Sequence, residues 1–144
     1  MGVASAAFEA SVRYAYQRHT LGVPIDQGKG IKFKLADMAT EIQAARLITY
    51  EAAAKKDRGD RVDLEAGMPK LLASEVCSKV TMEAMRIYGG YGCVKGWPIE
   101  RCYRKAPSMI IGEGTNEIQR LVMARELLKR YRVGAPCSLA NRVS

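Results

Sequence analysis

Apolar residues recur along this chain at alternating steps of four and three, the pattern of helices with one buried face. Ile31, Leu35, Met38, Ile42, Ala45, Thr49 and Ala52 share such a face, which predicts a helix over about 30–57. At about 1.5 Å per residue it would be ~40 Å long, longer than a compact domain of this size is wide. Arg58-Gly59-Asp60 ends it, with Gly59 suited to the left-handed position past the cap. Val3, Ala7, Ala10 and Tyr14 predict an earlier helix with a narrow seam of small residues. Leu72, Val76 and Val80, continuing to Ile87, predict a third, closed by Gly89 and Gly90. Pro98 suits the first turn of a short helix through Arg104, which Pro107 is expected to stop. Thr115 can cap a last helix carrying Ile118, Leu121, Val122 and Leu128. No segment alternates with a period of two, so no strand is expected. The expected fold is all-α: an up-down four-helix bundle with one extra short helix over 1–132, then a tail over 133–144. The overlong helix and the small-residue seams imply that partner surfaces complete the bundle.

Composition narrows the function. Apolar residues make up 48% and charged residues 26% of 144, enough for a core and too balanced for disorder. No run of about eighteen apolar residues exists, so no membrane span is expected. The first residues lack a charged leader before an apolar run, so no secretory signal is expected either. The net charge of +8 favours an anionic partner such as a nucleotide or phosphate. Nucleic acid is disfavoured, because the basic residues are spread out and do not alternate with aromatics. Cys77, Cys93, Cys102 and Cys137 form no C-x-x-C pair, and His19 is the single histidine. Metal ligation and Ser–His or Cys–His catalysis therefore lack material. The cysteines read as reduced thiols.

Two glycine-bearing segments do not fit plain helix packing. Tyr88-Gly89-Gly90-Tyr91-Gly92 reads either as a helix stop and turn or as backbone bared to a flat ligand. It is not a G-x-G-x-x-G loop after a strand, so a Rossmann nucleotide site is excluded. Met109-Ile110-Ile111-Gly112-Glu113-Gly114-Thr115-Asn116-Glu117 sets one carboxylate between two glycines, after an apolar run and before a helix. That arrangement suits a general base, which needs freedom to enter a pocket and exclusion of water. The other reading, a first-turn carboxylate supporting the helix dipole, fits Glu117 better than Glu113.

These segments, with Trp97-Pro98-Ile99-Glu100-Arg101, Gln119-Arg120, Lys34-Leu35-Ala36-Asp37-Met38-Ala39 and Arg18-His19-Thr20-Leu21-Gly22-Val23-Pro24-Ile25, resemble the C-terminal domain of acyl-CoA dehydrogenases. The resemblance covers about residues 2–132. It implies the helical bundle of an FAD-dependent enzyme, in which FAD and acyl-CoA lie between this bundle and a middle β-domain. On this resemblance Glu113 is the base that takes the α-proton of the acyl thioester. Thr115 and Glu117 match positions lining the flavin. Gly89 and Gly90 match a turn near the FAD of a neighbouring subunit, Arg18 a residue meeting its pyrophosphate, and Arg125 a basic position towards the CoA end. Leu21 stands where many members place a phenylalanine against the cofactor. Lys29, Arg86 and Lys105 also depart from the family pattern near that contact. Gly112 replaces a frequent tyrosine, which would widen the acyl pocket.

The family also implies an electron-transfer flavoprotein-like acceptor, a homodimer or homotetramer, and a cytoplasmic location, or the mitochondrial matrix in a eukaryote. By itself the chain is expected to be inactive, since most of the pocket belongs to other domains. The alternative from a different class is a non-catalytic helical oligomerisation module.

Overall fold

The computed structural model describes residues 1–134. Five helices follow one another: α1 (Gly2–Gln17), α2 (Lys29–Asp57), α3 (Asp63–Tyr88), α4 (Pro98–Ile111) and α5 (Asn116–Gly134). The tail expected over 133–144 starts inside α5, and from 135 onward it lies outside the described residues.

α3 is the central element, packing against α1, α2, α4 and α5. The core is built from Ala4, Ala7, Tyr14 and Ala15 of α1 with Met38, Ile42 and Ala45 of α2. Val76, Cys77, Val80, Ala84, Ile87 and Tyr88 of α3 and Ile99 and Ala106 of α4 complete it. The small residues of α1 and α3 let their backbones approach closely. α2 is as long as its periodicity predicts, and it ends in a Schellman turn. Gly59 has φ 82°, its N–H bonds the Lys56 carbonyl at 3.0 Å, and the Asp60 N–H bonds the Lys55 carbonyl at 3.1 Å. Only glycine reaches that conformation without a Cβ penalty.

Three expectations are corrected. First, α4 does not stop at Pro107 but runs through it to Ile111. A proline removes one bond to the carbonyl four residues back. Here that is Tyr103, and Tyr103, Arg104, Pro107 and Ser108 are all exposed, so water can satisfy the freed oxygen. Second, two short strands exist: β1 (His19–Thr20) pairs antiparallel with β2 (Val23–Pro24). Two residues per strand are too few to show a period. Leu21 and Gly22, at φ 53° and 83°, make the two-residue turn with left-handed residues at both positions that such hairpins require. Third, the apolar positions of α5 do not reach the core. Ile118, Leu121, Val122 and Leu128 are exposed, Leu121 to 63%.

Candidate active site

The helix α4 ends where Gly112 leaves it, the Gly112 N–H bonding the Ser108 carbonyl at 2.9 Å. A Cβ on Gly112 would stand 3.1 Å from that same carbonyl, and one on Gly114 would stand 3.1 Å from Gln119 Nε2. The neighbours are therefore tight on both sides of Glu113, and the φ of 83° at Gly114 favours glycine there. Glu113 itself has φ 56°, a left-handed conformation that costs an ordinary residue about 1–2 kcal/mol. The Gln119 side-chain amide donates to the Glu113 carbonyl at 3.3 Å. Thr115 caps α5 as its sequence predicts: its hydroxyl accepts the Ile118 N–H at 3.4 Å, and its carbonyl the Gln119 N–H at 3.0 Å. Glu117 sits in the first turn, held below the usual carboxylate range by its own backbone N–H and then by the Thr115 hydroxyl.

Glu113 is exposed and forms no ion pair among the described residues. It lines a cleft of about 440 Å³ with Lys70, Ser74, Cys77, Ser108 and Met109. Lys70, Ser74 and Asn116 are not singled out by their sequence context, yet they bound the turn. The Lys70 ammonium donates to the Ile110 carbonyl at 2.8 Å and to Asn116 Oδ1 at 2.7 Å. The Ser74 hydroxyl donates to the same Oδ1 at 2.9 Å. Asn116 is 1% exposed, and its buried Nδ2 has no acceptor among the described residues. The bonds span 40 to 46 residues of chain, so no local pattern could have announced them.

The second glycine turn lies on another cleft, of about 660 Å³, lined by Tyr14, Arg18, Thr20, Arg86, Gly89, Gly90 and Tyr91 among others. Its wall is aromatic. The Tyr14 and Tyr88 rings stack with centroids 4.0 Å apart, and Trp97 meets both edge-on at 6.0 and 5.7 Å. The Tyr88 hydroxyl donates to the Ala10 carbonyl at 3.1 Å, and burial pushes its phenol above the ordinary value. The Arg18 guanidinium stands 5.5 Å above the Tyr91 ring, an arrangement that orients a cation without neutralising it. A Cβ on Gly89 or Gly90 would meet nothing within 4 Å. At both positions bare backbone therefore borders open space, and Gly89 has φ 58°.

The expected residues thus fall into groups. Arg18, Gly89 and Gly90 converge on the larger cleft; Glu113 lines the smaller one, and Thr115 and Glu117 follow it at the start of α5. Leu21 lines neither cleft: it is 99% exposed at the hairpin tip. Arg125 is exposed on α5, without an ion pair among the described residues. The described residues contain no cluster of potential metal ligands and no helix long and apolar enough to cross a membrane.

Comparison with known proteins places this architecture. The family model described as acyl-CoA dehydrogenase, C-terminal domain, matches residues 1–128. The mitochondrial short-chain specific acyl-CoA dehydrogenase of Bos taurus is 49% identical over 132 residues, covering 92% of this chain and 32% of that protein. The butyryl-CoA dehydrogenase structure from Megasphaera elsdenii superimposes with a TM-score of 0.87 at 43% identity, over 88% of this chain and 33% of that one. A structure described as an FAD complex of PigA superimposes with a TM-score of 0.83 at 28% identity, over 88% of this chain and 33% of that one. The chain therefore spans about a third of the length of the relatives it matches.

Proposed function

This chain belongs to the acyl-CoA dehydrogenase family, whose C-terminal helical domain it matches, and we propose that it serves α,β-dehydrogenation of an acyl-CoA thioester with Glu113 as the base. The observation that carries this reading is the conformation of Glu113. An ordinary residue sits at φ 56° between two glycines, on a cleft, with no ion pair among the described residues to hold its carboxylate. Backbone strain that surrounding contacts sustain is concentrated at functional positions.

The larger cleft carries groups suited to the FAD of a neighbouring subunit, as the family positions of Arg18, Gly89 and Gly90 imply. The Arg18 guanidinium offers a fork for phosphate oxygens, and the open backbone at Gly89 and Gly90 admits a flat or extended group that a Cβ would obstruct. When bound, FAD would supply the hydride acceptor that the side chains lack. Leu21, fully exposed on its hairpin, would reach a neighbouring subunit's cofactor, as its family position implies. The chain's own part is to take the α-proton on a Glu113 carboxylate oxygen, in a cleft whose remaining walls come from other domains. Thr115 and Glu117 would border the flavin and Arg125 the CoA end. The electron-transfer flavoprotein-like acceptor and the homodimeric or homotetrameric state belong to the same proposal.

A second reading, a helical oligomerisation module without chemistry, draws on the exposed apolar row Ile118, Leu121, Leu128 and Tyr131 of α5. One experiment separates the two. The chain is complemented with the N-terminal and middle domains of a related dehydrogenase and assayed with FAD and short acyl-CoA thioesters. Turnover is expected on complementation and is expected to fall by about 10²–10⁴ in Glu113→Gln, the usual cost of removing a general base. An assembly module would yield no turnover in either form.

A further inference from the structure

A left-handed glutamate needs something to keep it there. Left to itself, residue 113 would relax to negative φ and swing its carboxylate elsewhere, since nothing else in the described structure fixes that side chain. Gln119 touches the turn only through the Glu113 carbonyl. The stronger tie comes from α3. The last four carbonyls of a helix lack partners within it, and Ile110 contributes one of these at the end of α4. Asn116 is the first residue of α5. The Lys70 ammonium bonds both, so one point charge joins the residue before the turn to the residue after it.

Several details say that the bond set is specific. Lys70 is half-buried, and among the described residues it forms no ion pair; both of its acceptors are neutral oxygens. A cation at a helix C-terminus is favoured by the macrodipole, and bonds from a charged donor are roughly twice as strong as neutral ones. Ser74, one turn along α3 from Lys70, donates to the same Asn116 oxygen. The Lys70 ammonium, which can only donate, settles which way that amide faces. Lys70 and Ser74 also line the cleft that Glu113 borders.

We propose that Lys70 is a positioning residue for Glu113: its ammonium straps the Ile110 carbonyl to Asn116 and so locks the left-handed turn that presents the carboxylate to the cleft. Ser74 and Asn116 complete the strap. The inference rests on Glu113 being the base, but the strap has its own readout. A positive φ brings an amide proton close to its own Hα, which gives an intense intraresidue cross-peak in an NMR spectrum of the chain. That cross-peak is expected for Glu113 in the unaltered protein and in Lys70→Arg. It is expected to weaken to the intensity of ordinary negative-φ residues in Lys70→Met, with the ring signals of Tyr88 and Trp97 unchanged. If Lys70→Met does not fold, Asn116→Ala cuts the same strap while leaving Lys70 bonded to Ile110, and the same loss is expected.

In the complemented enzyme, Lys70→Met should lower kcat by on the order of 10²-fold, the cost of an ångström-scale misplacement, with KM little changed. Lys70→Arg should recover most of it. A folded Lys70→Met or Asn116→Ala that keeps the Glu113 cross-peak at full intensity overturns the strap. Loss of that intensity with kcat intact overturns the positioning role. Glu113→Gln with full turnover would instead remove the base assignment and leave the strap standing.

Discussion

The two glycine turns are built on opposite principles. The turn after α3 is held by rings: Tyr14, Tyr88 and Trp97 pack against one another, and the positive φ falls on Gly89, where it costs little. The turn after α4 is held by polar bonds from Lys70, Ser74 and Gln119, and its positive φ is shared between Gly114 and a glutamate. The first obeys every local rule. The second breaks one, and a broken local rule beside a cleft marks a place where the sequence answers to something other than folding. The exposed Leu21 breaks the same local rule at its hairpin tip, beside neither cleft. Both exceptions fall on residues expected to face ligand or partner.

The largest effect expected on stability belongs to the aromatic turn. Tyr88→Ala removes a ring stacked on Tyr14, its edge contact with Trp97 and the bond to the Ala10 carbonyl. Removing a buried aromatic side chain typically costs about 3–5 kcal/mol, read as a lowered midpoint in urea unfolding. The Glu113 NMR signature should survive in whatever fraction stays folded. A cost near zero would mean that the rings are not what holds that end together.

The strained residues should respond with the opposite sign. Glycine normally weakens a folded chain through its greater freedom when unfolded, by about 0.5–1 kcal/mol. At φ 56° and 53° that loss is offset by the strain removed. Glu113→Gly and Leu21→Gly are each expected to leave stability level or raise it by up to ~1 kcal/mol, while Glu113→Gly abolishes turnover in the complemented enzyme. A clear loss of stability in Glu113→Gly would mean that the glutamate carries no strain, and the contrast between the two turns would fail.

Legibility followed the range of the interactions. The α2 seam from Ile31 to Ala52 and the Gly59 stop were readable because helix faces and caps are set within a few residues. So was the turn at Gly112-Glu113-Gly114, since small neighbours on both sides of a charge form a local pattern. The hairpin was missed because Leu21-Gly22 lacks the usual Asn-Gly or Asp-Gly signal. The last turn of α4 was missed because a proline's effect depends on whether its freed carbonyl can find water. The convergence of Arg18 with Gly89 came from family resemblance alone, and the Lys70 strap from neither source, because both join residues far apart in sequence. The exposure of the α5 apolar row was likewise unreadable: periodicity reports a face but not what covers it.

The smallest expected effect is a difference in acid sensitivity between the two regions. α5 packs mainly on α3 and is pinned there by Glu65, whose carboxylate accepts two bonds of 3.0 Å from the Arg130 guanidinium. Those bonds, aided by the Glu65 backbone N–H, hold its pKa down to about 2. Glu117, at the other end of α5, is lowered as well. In the unfolded chain a glutamate titrates at about 4.3. A carboxyl with a depressed folded pKa contributes its stabilisation in full above the unfolded value and loses it as pH falls through the folded one. The contribution of Glu65 is therefore complete at neutral pH and declines between about 4.3 and about 2. It is modest, because exposed ion pairs are heavily screened. The residues of the aromatic turn, 88–93, include no carboxylate. Trp97, the single tryptophan, reports that region by its fluorescence, while amide exchange along α5 reports the other. On acidification, α5 amides should lose protection before Trp97 emission shifts. Coincident transitions would mean that the polar and aromatic ends melt as one unit, and that the two turns differ in chemistry but not in how they are held.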